Sequence, residues 1–228
     1  MKKLLVAIVA ALALAIPAKS AAQDVFDAGS DNRAYFGVRL SLEAPIPGDW
    51  SANKISMKLF KTGVGFDAGA VYNIPLWKNL YFEPGLSLYY NAMGFDSPED
   101  IPGVSNSNID ASVRRFGFRV PFSFGYRFDL EPCSLYAFTG PELEVGLVGR
   151  THASATVSGQ KESESESCYG DNGFLKRVDL AWKFGVGVSV NKCYLGLSGN
   201  LGMLNMISNG NGVSMHENLF QLTLGYNF

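Results

Sequence analysis

The sequence predicts an all-β protein in which eight antiparallel strands close into an up-and-down transmembrane β-barrel. Three observations lead to this fold class. Eight segments alternate between apolar and polar residues, short and long links follow each other between the segments, and the strand glycines share the charged face. Of the 228 residues, 47% are hydrophobic and 13% aromatic, which excludes a disordered chain. Beyond the N-terminus, no apolar run approaches the ~18 residues that a membrane-spanning helix needs.

Residues 1–22 predict a secretory signal peptide. A positively charged start and an apolar run precede small residues, with a cleavage site between Ala22 and Gln23. A polar lead, residues 23–33, connects the signal to the predicted barrel, residues 34–228. Removing the three lysines of the signal changes the formal charge from −2 to −5, so no excess of positive charge attracts nucleic acid.

The eight predicted strands share a two-residue alternation, which is clearest where aromatic residues recur at alternate positions from Phe116 to Phe128. In chain order the predicted strands are Tyr35–Glu43, Gly63–Asn73, Leu80–Asn91, Arg115–Phe128, Leu135–Leu147, Lys176–Asn191, Tyr194–Met206 and Asn218–Phe228. Three prolines, Pro84, Pro121 and Pro141, fall inside strands. We expect a bulge at each, because a closed barrel has no edge at which a missing N–H is harmless.

The links between these strands alternate in length. The short links are Leu76–Asn79, Asp129–Cys133 and Asn191–Lys192. The long, polar links are Ala44–Lys61, Phe95–Ser112, Thr151–Leu175 and Ile207–Glu217. Outer-membrane barrels have this layout, with short periplasmic turns and long extracellular loops.

The alternation alone does not say which face of the strands points inward. A secreted lipocalin also closes eight strands, but its apolar side chains surround a ligand. Glycine weakens a strand on a water-facing surface without any gain, whereas inside a narrow barrel it makes room for large neighbours. We therefore expect the charged, glycine-rich face to line the lumen, and Phe, Leu and Val to face lipid.

This orientation places six basic and six acidic side chains in the lumen. They are Arg39, Arg115, Arg119, Arg127, Arg177 and Lys183, and Glu43, Asp67, Glu83, Glu142, Glu144 and Asp179. A buried charge without a partner is costly, so equal numbers favour a closed ion-pair network, with trapped water around the charges as the alternative. Since side chains fill the interior of an eight-stranded barrel, we expect a plugged barrel and not an open pore.

The last predicted strand ends in an aromatic stripe that includes Tyr226 and Phe228. This stripe resembles the terminal signal that the barrel-assembly machinery reads, so that machinery is an expected partner, together with outer-membrane lipid and lipopolysaccharide. A surface or periplasmic protein partner stays unidentified. No cofactor or metal is expected, because the two histidines, His152 and His216, have no acid or cysteine at metal-ligand spacing.

Four segments carry a recognisable pattern of strands and turns. They are LYFEPGLSLYYNAMG at 80–94, FRVPFSFGYRF at 118–128, LYAFTGPELEVGL at 135–147 and LFQLTLGYNF at 219–228. On these segments, the chain from about Tyr35 to Phe228 resembles the PorT-like outer-membrane β-barrel family common in Bacteroidota. The resemblance implies an eight-stranded barrel in the outer membrane of a Gram-negative bacterium. It implies no catalytic residue, and some relatives are linked to protein export whereas others have no known activity.

We therefore expect a non-enzymatic barrel with a structural or surface-interaction role through its long extracellular loops. Three alternatives stay open: an accessory protein of envelope protein export, a narrow channel, and a lipid A-modifying enzyme. The enzyme alternative rests on His152 and Ser154, whose spacing weakly resembles the His-x-Ser pair of lipid A deacylases. Glu166 would be the acid that orients the base.

Two further features of the sequence concern the links. The acidic stretch Gln160–Ser167 is expected to be solvated and flexible, with cation binding as the alternative.

Cys133 and Cys193 lie at the same rim two strand spacings apart, or roughly 9–10 Å. This exceeds the ~7 Å limit for a disulfide, so a bond requires both turns to lean together and stays open. Cys168 lies at the opposite end and is expected to be free.

Overall fold

The computed structural model describes residues 34–52, 55–58, 60–95, 109–157, 160–170, 173–208 and 212–228. The predicted signal peptide and polar lead lie outside these ranges. The described strands are β1 (Tyr35–Pro47), β2 (Trp50–Ala52), β3 (Ile55–Met57), β4 (Val64–Trp77), β5 (Leu80–Gly94), β6 (Ile109–Leu130), β7 (Cys133–Val157), β8 (Gln160–Ser167), β9 (Val178–Val190), β10 (Cys193–Gly202), β11 (Val213–Ser214) and β12 (Glu217–Asn227). In these ranges, no helix has the length and apolar character needed to cross a membrane.

Eight of these strands form a closed antiparallel ring in the order β6-β5-β4-β1-β12-β10-β9-β7. β7 closes the ring by pairing with β6 from Leu130↔Cys133 to Ile109↔Ala155. The first and last strands, β1 and β12, pair from Gly37↔Asn227 to Pro47↔Glu217. The other neighbours in the ring follow one another along the chain, which confirms the predicted eight-stranded up-and-down barrel.

The two ends of the ring differ in their links. We call the end with the three short links, where β4 meets β5, β6 meets β7 and β9 meets β10, the turn end. Lys78 and Asn191 lie in two of these turns with φ angles of 52° and 56°, the left-handed conformation that tight turns use. We call the opposite end, which carries the long links, the loop end.

The loop end contains more β-structure than the sequence predicts. β6 and β7 extend to 22 and 25 residues, and β8 pairs with β7 from Arg150↔Ser167 to Val157↔Gln160. The acidic stretch expected to be a flexible loop is therefore a strand, and its alternation of Ser and Glu places the two residue types on opposite faces. We call these parts of β6, β7 and β8 the extension sheet. β11, β2 and β3 form a separate three-stranded sheet.

The two faces of the ring have opposite chemistry. On the outer face Leu42 is 67% exposed and Phe124 is 51% exposed, whereas their chain neighbours Glu43 and Ser123 are buried. The charged, glycine-rich face therefore points inward, as the sequence predicts, and the lipocalin orientation is wrong.

Inward tyrosines lie directly against strand glycines. The ring of Tyr194 covers Gly187 and Gly196, and the ring of Tyr81 covers Gly125. A Cβ atom at any of these glycines would overlap the ring, so the glycines supply the space that large residues need inside a narrow barrel.

The expected proline bulges are absent from the described ladders. Pairs on either side of Pro84 and Pro121 keep the same register, and Pro141 pairs with Trp182 without a shift. A proline removes one donor from the ladder without inserting a residue, so the local hydrogen bond is lost while the register continues. Register shifts lie elsewhere, at Phe116/Gly117 and at Pro75/Trp77.

Candidate functional site in the barrel lumen

Arg115 lies on the inward face of β6 and is fully buried. Its Nε donates a hydrogen bond to Asn91 Oδ1 at 3.1 Å, and its Nη2 donates to Glu217 Oε1. Its Nη1 lies 3.8 Å from Glu144 Oε1. Because β6 and β12 lie on opposite sides of the ring, the contact between Arg115 and Glu217 crosses the lumen.

Arg119, four residues further along the same inward face of β6, contacts more acidic groups. Its Nη1 donates to Glu43 Oε1 and its Nε donates to Glu144 Oε2 at 2.8 Å. Glu142 Oε1 and Asp67 Oδ2 lie 3.7 and 4.0 Å from guanidinium nitrogens. Its guanidinium also lies 4.0 Å above the ring of the buried Tyr89. Arg119 therefore joins β6 to β1, β4 and β7.

Lys183 on β9 extends the contacts to the remaining strands. Its Nζ donates to Glu142 Oε2 at 2.9 Å and to Gln221 Oε1 at 2.8 Å. Asn200 Nδ2 donates to Glu142 Oε1 at 2.6 Å, and Gln221 Nε2 donates to Glu43 Oε1 at 2.9 Å. Side chains from β10 and β12 thus complete a connected set of polar contacts around the lumen.

A second group of contacts lies nearer the turn end. Arg39 Nη2 lies 3.9 Å from Glu83 Oε2, and its Nη1 donates to Asn227 Oδ1 at 2.8 Å. The guanidinium lies 4.3 Å from the centre of the Tyr194 ring. Tyr136 contacts both Tyr81 and Tyr194 edge-to-face, with ring centres 5.8 and 5.9 Å apart. We call these three tyrosines the tyrosine layer.

A polar cavity of about 60 Å³ lies between Lys183 and Tyr194 of the tyrosine layer, which both line it. Ser41, Asp67, Ser123 and Thr223 are among the residues that line it. A larger cavity of about 570 Å³ lies on the apolar outer face of β7, β9 and β10, away from the charged residues.

The loop end of the lumen is apolar. Buried residues from several links pack together there, and we call this cluster the apolar cap: Phe60, Val113, Cys168, Tyr169, Leu175, Met206, Ile207 and Met215. Burial raises the pKa of the Cys168 thiol to about 11 and the pKa of the Tyr169 hydroxyl to about 12.

The family model of the outer membrane protein β-barrel domain matches residues 7–228. The chain belongs to this family. It therefore lies in the outer membrane of a Gram-negative bacterium. No curated protein matches the sequence.

Several solved structures of outer-membrane barrels are similar to this family member. Neisserial surface protein A is 15% identical over 86% of this chain and 100% of its own, with a TM-score of 0.41. OprG from Pseudomonas aeruginosa is 9% identical over 86% and 96%, with a TM-score of 0.40. Ail, the attachment invasion locus protein of Yersinia pestis, is 17% identical over 86% and 97%, with a TM-score of 0.38.

Three residues expected in the ion-pair network of this outer-membrane barrel lie elsewhere or lack a charged partner. Arg127 Nε contacts Asp129 Oδ1 at 2.8 Å beside the turn end, because both residues lie on one face of β6. Arg177 precedes β9 and is exposed, and its Nη1 donates to the carbonyl of Leu147 at 2.9 Å. Asp179 is buried and accepts from the N–H of Leu180, with no ion pair among the described residues.

Sequence reasoning also missed groups that the structure places in the lumen. Glu217 was assigned to a long link, but it opens β12 and contacts Arg115. Its position four residues before Gln221, in phase with the inward face of β12, is the signal that predicts it. With Glu217 added, neutral donors such as Asn200 and Gln221 take the place of the cations that lie outside the network.

The residues of the enzyme alternative do not form a triad. His152 pairs with Ser165 across the extension sheet, so the adjacent Glu166 lies on the opposite face from His152. Ser154 is buried.

Within the described ranges, no three His, Cys, Asp or Glu side chains come together as metal ligands. All three cysteines are free, and Cys133 and Cys193 both lie opposite Val190 on β9.

Proposed function

We propose that this outer-membrane barrel is a non-enzymatic structural protein whose lumen is closed to solutes by its own side chains. Its loop end faces the outside of the cell and presents the extension sheet to the surroundings. One observation carries the proposal: Arg115 and Arg119 occupy the middle of the lumen, 0% and 1% exposed, and contact carboxylates from strands across the ring.

Three successive layers support the closed lumen. The apolar cap lies at the loop end, the contacts of Arg115, Arg119 and Lys183 lie in the middle, and the tyrosine layer lies towards the turn end. The cavity between the last two layers has a volume of about 60 Å³. Since about 10–15 Å³ of such space holds one water molecule, this cavity suits a few waters.

The charges of the middle layer also resist opening of the lumen. Separating Arg119 from its carboxylates leaves buried charges without partners, which costs about 3–5 kcal/mol for each broken pair. Opening a path along the axis requires several such separations at once. The network therefore favours one closed arrangement of the barrel.

A planar-bilayer recording tests the closed lumen. The purified full-length protein should give no steady ohmic conductance after insertion. A variant that hollows the middle layer, R115A/R119A, should conduct more than wild type, whereas the outer-face variant L42A should show no conductance. A large, steady conductance of the wild-type protein contradicts the proposal and supports the narrow channel.

Labelling of intact cells tests which end faces outward. Ser165 on β8 and Cys193 at the turn end are both exposed. A membrane-impermeant maleimide should leave the wild-type protein unlabelled in intact cells and label the S165C variant. Cys193 should react only after lysis. Labelling of wild-type cells, or absence of labelling in S165C cells, contradicts the orientation.

We also propose that the chain belongs to the PorT-like branch of the family, on the four segments quoted above. The export role of some members of that branch is the alternative function. It predicts a secretion defect when the gene is deleted, and an unchanged set of secreted proteins contradicts it.

A further inference from the structure

The outer face of the barrel carries two arginines side by side near the loop end. Arg114 on β6 and Arg150 on β7 are direct cross-strand partners, and both are exposed. Neither guanidinium has a hydrogen bond or ion pair with any residue that the structure describes. Like charges directly opposite each other destabilise a sheet, so this arrangement favours an anion that contacts both.

Rows of cross-strand partners show the depth of the two arginines in the membrane. The row on the turn-end side consists of Tyr90, Phe116 and Val148. The row on the other side consists of Ser112, His152 and Ser165. Arg114 and Arg150 therefore lie at the boundary between the lipid-facing apolar band and the polar extension sheet. Lipid headgroups lie at this depth.

No described carboxylate neutralises the arginines on that face. Ser167 pairs with Arg150, so the adjacent Glu166 projects from the opposite face of the extension sheet. Arg177 does not belong to this face, since its guanidinium lies 5.2 Å from the centre of the Tyr169 ring in the apolar cap. The outer face at the boundary is thus positively charged, directly above an apolar surface.

We propose that Arg114 and Arg150 bind a phosphate group on the glycolipid of the outer leaflet, whose acyl chains cover Phe116 and Val148. Arginine is the side chain suited to this task, because its planar fork donates two parallel hydrogen bonds to a phosphate. Two forks on neighbouring strands contact one phosphate from two directions. The site rests on the proposed outward orientation of the loop end, but it does not depend on a closed lumen.

Binding of lipid A to the purified full-length protein in detergent tests the site. Native mass spectrometry compares lipid A that carries its phosphates with the same lipid A after dephosphorylation. Wild type should bind the phosphorylated form at least about tenfold more tightly, as charge-assisted hydrogen bonds imply. The R114Q/R150Q variant should lose this preference. The matched control K78Q/K192Q, which removes two positive charges at the turn end, should keep it.

Inorganic phosphate, added in competition, distinguishes a lipid headgroup from a free anion. It should displace phosphorylated lipid A only weakly, because it lacks the acyl chains that contact the apolar row. Equal binding of both lipid A forms by wild type, an unchanged preference in R114Q/R150Q, or full displacement by inorganic phosphate overturns the proposal.

Heat-dependent migration on gels shows whether each variant is folded. If R114Q/R150Q does not fold, R114K/R150K replaces it: lysine keeps the charge but lacks the fork, and its preference for the phosphorylated form should fall below that of wild type. An unchanged preference in that variant also overturns the site. Because the assay uses detergent micelles, it reports on the arginines whatever the lumen conducts and whichever way the loop end faces.

Discussion

Arg114 and Arg115 are consecutive residues of β6 with opposite surroundings. Arg115 points into the lumen, is fully buried and contacts Asn91, Glu144 and Glu217, whereas Arg114 points to the outer face and is exposed. The period of the strand alone separates them, because successive side chains project from opposite faces. The same residue type is therefore part of a structural network on one wall and available to a ligand on the other.

The largest expected difference in stability is between a variant that lacks Arg115 and a variant that lacks Arg114. R115A should lower the free energy of unfolding by about 3–5 kcal/mol, because Glu217 is left buried without its partner. R114A should leave it nearly unchanged, since surface substitutions away from special features have small effects. Urea unfolding in lipid vesicles, followed by tryptophan fluorescence, measures both. Equal losses in the two variants contradict the assignment of opposite faces.

A double-mutant cycle should show how strongly Arg115 and Glu217 are coupled. Directly contacting residues have interaction energies of about 0.5–3 kcal/mol, and we expect R115M with E217L to lie in the upper half of this range. The control cycle of R114M with E217L should give a value near zero, because Arg114 lies on the other wall. A coupling as large in the control as in the test cycle would show that the effect does not pass through the contact.

Space on the inner wall is a second difference between the two faces. G187A places a methyl group against the ring of Tyr194 and should cost about 1–3 kcal/mol, in the range of overpacked sites. Gly94, at the end of β5, has no atom within 4 Å of an added Cβ, so G94A should have little effect. Unfolding curves of the two alanine variants make the comparison. Similar stability of G187A and G94A contradicts the role given to the inward glycines.

The sequence predicts the strands and their faces well, but not the partners across the lumen. Alternation in β6 places Arg115 and Arg119 inside without any knowledge of the fold. The identity of their partners depends on the tilt and stagger of eight strands, which no single strand specifies. Glu217 lies one residue before the predicted start of the last strand at Asn218, and Arg177 lies outside β9 because that strand begins at Val178, two residues after its predicted start. Local alternation thus gives the orientation, whereas closure of the ring decides the contacts.

The extension sheet shows a related difficulty. Its alternation of Ser and Glu has the period of a strand, but its charge and low complexity are typical of a solvated loop. Pairing with β7 decides in favour of the strand. That pairing also separates Glu166 from Arg150, which leaves the outer face of the barrel basic at the membrane boundary.

The smallest perturbation is a chemical test that compares the reactivity of a buried cysteine with that of an exposed one. Cys168 is buried in the apolar cap with a pKa of about 11, whereas Cys193 is exposed at the turn end. Only the thiolate is an effective nucleophile, so at pH 8, well below this pKa, the Cys168 thiol is protonated, and its burial shields it in the folded protein. At pH 8, iodoacetamide should modify Cys193 first, and Cys168 should react only after unfolding. Mass spectrometry of digested protein reports the order, and early modification of Cys168 in the folded barrel contradicts the closed cap.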